Sequence, residues 1–152
     1  MAEYVFNPVQ VVQPGQNVLL NGSIPCNRGN VYHREGSGIL TLRGNVNNNS
    51  CGCFARYQVT FNANIAVPTD GTVGPIAVAL AIDGEAIQTS RAIVTPAAVD
   101  EYFNVTSTAI ITVPKGCCFN VAVENASFGA TAADPATAIN VQNANLTVTR
   151  IA

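Results

Sequence analysis

Apolar and polar residues alternate along most of this chain with a period of two, which is the signature of strands whose two faces meet different surroundings. In "ARYQVTFNANIAV", Tyr57, Val59, Phe61, Ala63, Ile65 and Val67 share one face, and Arg56, Gln58, Thr60, Asn62 and Asn64 the other. "FNVTSTAIITV" repeats the pattern, with Phe103, Val105, Ala109, Ile111 and Val113 opposite Asn104, Thr106, Thr108 and Thr112. "GPIAVALAI" alternates large with small instead: Ile76, Val78, Leu80 and Ile82 face one way and Ala77, Ala79 and Ala81 the other, so both faces of that strand are predicted to be covered. The Asp83-Gly84 pair after it predicts a hairpin turn.

Shorter strands are predicted at 4–6, 17–20, 31–33, 38–43, 86–94, 117–124 and 139–150, about ten in all. "QPGQ", "HREGSG", "RGNVNNNSCG", "VPTDGTVGP" and "VPKG" separate them with turn-forming residues. No stretch carries a helical stripe, no internal repeat or dividing linker appears, and "NNNSCG" and "SFGATAADPATA" are the most loop-like segments. The expectation is an all-β sandwich or barrel forming a single domain over residues 1–152, long enough to bury roughly 70% of the surface of its unfolded form.

Charge narrows the function classes. Only 11% of the 152 residues are charged, and 17 asparagines supply much of the polarity. Seven Lys plus Arg against nine Asp plus Glu make no basic stripe, so nucleic acid is not an expected partner. No apolar run reaches the roughly 18 residues of a membrane helix, and the opening "MAEYVFNPVQ" lacks the layout of a signal peptide; neither membrane nor export is expected. Asn-x-Ser/Thr triplets at Asn21, Asn48, Asn104, Asn125 and Asn145 follow from composition.

Candidate chemistry centres on five cysteines: Cys26, Cys51, Cys53, Cys117 and Cys118. Alternation through "GCCFNVAV" predicts that Cys117 faces the core with Phe119, Val121 and Val123, and that Cys118 faces out. Three readings stay open. The thiols are reduced space-fillers, or Cys26 or Cys118 pairs with Cys51 or Cys53, or zinc is held by Cys51, Cys53 and Cys118 with or without His33. His33, the only histidine, has only Glu35 as a nearby acid, and no nucleophile elbow, phosphate loop or His-Glu-x-x-His accompanies it. Asp70, Asp83, Asp100 and Glu101 are scattered on turns. No catalytic, cofactor-binding or metal residue is assigned, and no enzyme activity is expected.

Four stretches carry a family resemblance. "GSGILTLRG" followed by "RYQVTFNANIAV", then "VALAIDGEAI", then "AIITVPKGCCFNVAVENAS", then "INVQNANLTVTRIA" resemble, in order and spacing, the strands and hairpins of the jelly-roll superfamily of tumour necrosis factor and the complement C1q head, including its bacterial and phage versions. The match runs over roughly residues 16 to 151. It implies a ten-strand jelly roll packing as a homotrimer and serving assembly, display or recognition. The chain lacks the collagen-like stalk of bacterial surface members. The alanine stripe at Ala77, Ala79 and Ala81 is expected to be hidden by sister copies, since large exposed apolar patches are rare on monomers, the alternative being a loop of the same chain packed over it. The leading expectation is a protein that builds or decorates a particle such as a phage head or tail, made in the cytoplasm, with itself and a capsid or tail protein as partners. The alternative is a trimeric module that binds a surface glycan or receptor through its loops.

Overall fold

A computed structural model describes residues 1–24, 29–47, 51–128 and 136–152. Twelve strands among these residues form two antiparallel sheets, and the one helical element is a 3-10 turn at Gln88–Ser90. The first sheet runs β10 (Phe103–Pro114), β6 (Phe54–Ala66), β12 (Ile139–Arg150), β1 (Ala2–Phe6), β3 (Gly22–Ile24), with β2 (Gln10–Val12) also paired to β12. The second runs β4 (Val31–His33), β5 (Leu40–Arg43), β11 (Cys118–Asn125), β7 (Ile76–Ile82), β8 (Glu85–Ala86), with β9 (Ala92–Val94) on β7.

The inward faces follow the alternation. Tyr57, Val59, Phe61, Ala63, Ile65 and Val67 are fully buried, and Leu146 and Val148 of β12 join them in one core with Leu40, Leu42, Leu80, Val121 and Val123 of the opposite sheet. Burying a large aliphatic or aromatic side chain contributes about 1.5–3 kcal/mol, so this shared interior is the main term holding the sheets together. Tyr57 keeps its hydroxyl satisfied by donating to the Arg43 carbonyl at 2.5 Å. The β7–β8 hairpin turns at Asp83 and Gly84, both with positive φ (50° and 86°), as the Asp-Gly pair predicts.

Several boundaries differ from expectation. Residues 17–20 form only an isolated bridge, Asn17 to Glu124, and 86–94 is broken by the 3-10 turn, where the Ser90 hydroxyl bonds the Leu80 backbone. The expected burial of Cys117 is wrong. Gly116 adopts φ 78°, Cys117 N donates to the Pro114 carbonyl in a turn, and β11 starts one residue later, leaving Cys117 exposed. The alanine stripe needs no sister copy: Ala77, Ala79 and Ala81 are buried within the chain itself. Ile93, Glu124 and Ala122 lie opposite them in the ladders, the Ser127 hydroxyl bonds Ala77 N, and the Arg91 guanidinium sits 5.3 Å over the Phe128 ring nearby. No described helix is long and apolar enough to cross a membrane.

Candidate functional site

Two surfaces stand out. The first is the outward face of the three adjoining strands β10, β6 and β12. Antiparallel register lines up Asn104 with Asn64, Thr106 with Asn62, Thr108 with Thr60 and Ile110 with Gln58, and continues to Gln142, Asn145, Thr147 and Thr149 on β12. With Thr112 these are thirteen uncharged residues; Arg56, opposite Thr112, is the charged side chain at the end of the face, and Glu3 of β1 accepts from Asn145 at its edge. Their polar groups largely bond one another: the Thr60 and Thr108 hydroxyls lie 3.1 Å apart, Asn62 Nδ2 donates to the Thr106 hydroxyl at 3.0 Å, and Asn104 Nδ2 donates to Asn62 Oδ1 at 2.9 Å and Asn64 Oδ1 at 3.2 Å. Ile110 is the apolar exception and is 63% exposed.

The second surface is the end of the sandwich where β6 begins and β10 stops. Phe54 pairs with Pro114, and one residue further Lys115 N donates to the Cys53 carbonyl at 2.9 Å. On its other side the 114–117 turn is bonded to Gly44, whose N–H donates to the Cys117 carbonyl at 2.8 Å and whose carbonyl accepts from Gly116 N at 3.1 Å. Cys51, Cys53, Cys117 and Cys118 therefore gather at this end from two segments about sixty residues apart in sequence, and all four are exposed and unpaired. A cleft of about 600 Å³ adjoins them, lined by Asn30, Asn45, Asn47, Gly52, Phe54 and Arg150. Arg150 is held in place by bonds to Asn30 Oδ1 (3.3 Å) and the Ala152 carbonyl (3.0 Å), and the Arg56 guanidinium lies 4.6 Å over the Phe54 ring.

The structure brings together four of the five cysteines and separates them from the histidine. His33 Nε2 bonds the Ser37 carbonyl at 2.9 Å and its ring packs 4.8 Å from that of Tyr4, a structural arrangement. Among the described residues no three His, Cys, Asp or Glu side chains converge as a metal ion requires, so the zinc set of Cys51, Cys53, Cys118 and His33 does not form. Cys26, and with it any pairing of Cys26, lies outside the described residues, as do Asn48–Ser50 and residues 129–135 of the two loops expected to bind a partner. The turn carboxylates serve local structure: Asp83 accepts from Asn120 N at 3.0 Å, Asp100 from the Thr69 hydroxyl at 2.6 Å, and Glu101 caps Ala97 N and Ala98 N. Burial pushes the Glu124 carboxyl above its ordinary range, with Arg91 partly opposing the rise.

Comparison with known proteins bears on the fold. Neither a family model nor a curated protein sequence matches the chain. Among solved structures, the globular domain of zebrafish complement 1qA protein matches at a TM-score of 0.61 and 15% identity, over 99% of this chain and 96% of that one. The Eiger tumour necrosis factor from S. frugiperda matches at 0.62 and 10% identity, over 100% and 92%. The chain thus has the jelly-roll fold of C1q and tumour necrosis factor globular domains, as its strand order and hairpins imply.

Proposed function

We propose that this chain is a non-enzymatic assembly module: three copies associate through the largely uncharged face of β10, β6 and β12, and the resulting trimer decorates or builds the surface of a particle, a phage head or tail being the instance favoured. The observation that carries the reading is that thirteen adjoining outward residues carry no charge, with Arg56 and Glu3 only at the margins of the face. Burying a charge between subunits is expensive unless it is paired, and the cores of interfaces are depleted of charged residues. Amides and hydroxyls that already bond one another need give up little hydration when covered. Ile110 supplies an anchor: covering its exposed part contributes about 1–2 kcal/mol per subunit.

Light scattering of the reduced protein at micromolar concentration tests this. The expected mass is that of three chains, falling to one chain in Ile110→Asp and Thr108→Lys; a single-chain mass for the unaltered protein rejects the trimer.

A second reading, recognition of a glycan, is favoured by the cleft of Asn30, Asn45, Asn47 and Phe54. Arg56 already occupies a face of the one aromatic ring there that a sugar could stack on, so assembly is preferred. Glycan-array binding that is lost on Asn45→Ala would reverse that preference.

A further inference from the structure

The exposed cysteines remain unexplained by an assembly built on the sheet face. Cys51 and Cys53 lead into β6, Cys117 and Cys118 close the turn between β10 and β11, and backbone hydrogen bonds hold these two segments side by side. We propose that this end of the sandwich is an oxidative cross-linking site, which joins one copy of the chain to a second copy through disulfides between these thiols.

Three observations favour a second copy over closure within one chain. The backbones of both segments are already fixed, Cys53 by Lys115 and Cys117 by Pro114 and Gly44, and in that arrangement the thiols stand exposed and outside any disulfide, the Cys53 thiol donating to the Cys51 carbonyl at 3.8 Å. A disulfide between the two segments demands a narrow range of Cα separation and matched Cβ directions, and the 114–117 turn is held by backbone hydrogen bonds that limit its adjustment. Cys117 and Cys118 are sequence neighbours and cannot bond each other without strain. Finally, five cysteines cannot all pair within one chain, so one thiol always remains for another molecule.

The chemistry is thiol–disulfide exchange with a low-molecular-weight disulfide such as oxidised glutathione. A cysteine thiolate attacks one sulfur, forming a mixed disulfide and releasing one glutathione thiol; a thiolate of the second copy then attacks the protein sulfur and releases the other. Two protein thiols are oxidised and one disulfide is reduced to two thiols. Arg43, Arg56 and Lys115 lie in residues 43–47, 51–56 and 113–118, which contain no carboxylate, and these cations, offset in part by Asp83 bonded to Asn120 N, draw in an anionic disulfide.

The experiment incubates reduced protein with oxidised glutathione at micromolar concentration, quenches by alkylation, and reads a non-reducing denaturing gel and intact mass. Bands of two or more chains are expected, reversed by dithiothreitol and absent in C51S/C53S/C117S/C118S, whose melting temperature verifies that it folds. Two results overturn the proposal: a single-chain product that has lost two hydrogens, meaning an in-chain disulfide, and a single-chain product carrying only glutathione. The inference does not depend on the trimer, because light scattering under reducing conditions reads non-covalent assembly and the denaturing gel reads only covalent links.

Discussion

Gly44→Ala should disrupt the thiol-bearing end selectively. A Cβ added at Gly44 falls 1.9 Å from the Pro114 carbonyl oxygen, 2.8 Å from its carbon and 3.2 Å from the Cys117 oxygen. All three obstacles are backbone, so no side chain can swing aside. Relief to an ordinary contact requires Gly44 and the 114–117 turn to part by about 1.5 Å, which breaks the 2.8 Å bond from Gly44 N and the 3.1 Å bond to its carbonyl. Two hydrogen bonds lost at about 1 kcal/mol each, with some penalty for groups left unsatisfied, give a destabilisation of about 2–4 kcal/mol. At about 2–4 °C per kcal/mol for a domain of this size, the melting temperature should fall by about 4–16 °C. Gly74→Ala is the control, since a Cβ there meets nothing within 4 Å and the change should stay within about 0.5 kcal/mol. Thermal denaturation followed by circular dichroism compares the pair. If Gly44→Ala melts within a degree of both the parent and Gly74→Ala, the close approach argued for the turn is wrong.

The core carries a larger effect: Phe61→Ala removes a fully buried ring between the sheets and should cost about 3–5 kcal/mol in urea unfolding, with a loss under 1 kcal/mol refuting its central position. Glu124 makes a pH prediction. Because burial raises its carboxyl pKa in the folded state, the folded chain holds the proton over a range where the unfolded chain has lost it, so stability falls as pH rises through that range. Glu124→Gln should therefore melt higher than the parent at pH 7 and equal to it below the ordinary carboxylate range; an identical difference at both pH values would contradict the burial argument.

Alternation over 56–67 placed every inward side chain of β6 correctly, because period two is a local property and the core rewards it directly. The Asp83-Gly84 turn was equally legible, since its positive φ values are a demand that few residue pairs meet. Strands β2 and β3 were missed: each is three residues long and is defined by its partner, β12 or β1, more than by its own pattern. Cys117 was misplaced because alternation was carried one residue too far, into a turn set by Gly116. The alanine stripe shows a different limit. The sequence reveals that Ala77, Ala79 and Ala81 must be covered, but the covering groups, Arg91 and Ala126–Phe128 among them, are set by tertiary contacts that spacing does not encode. For the same reason the meeting of 51–53 with 117–118 was invisible as geometry until the β6 to β10 register was known.

Strand β12, almost the last stretch of the chain, lies in the middle of the first sheet, between β6 and β1. β1 and β6 are therefore joined in the sheet only through residues 139–150. Such a topology makes completion of this sheet wait on the closure of a long loop, since the pairing of β1 with β12 joins residues as far apart as Tyr4 and Leu146, which slows folding. Until that loop closes, the edges of β1 and β6 that β12 covers stay unpaired and open to other chains.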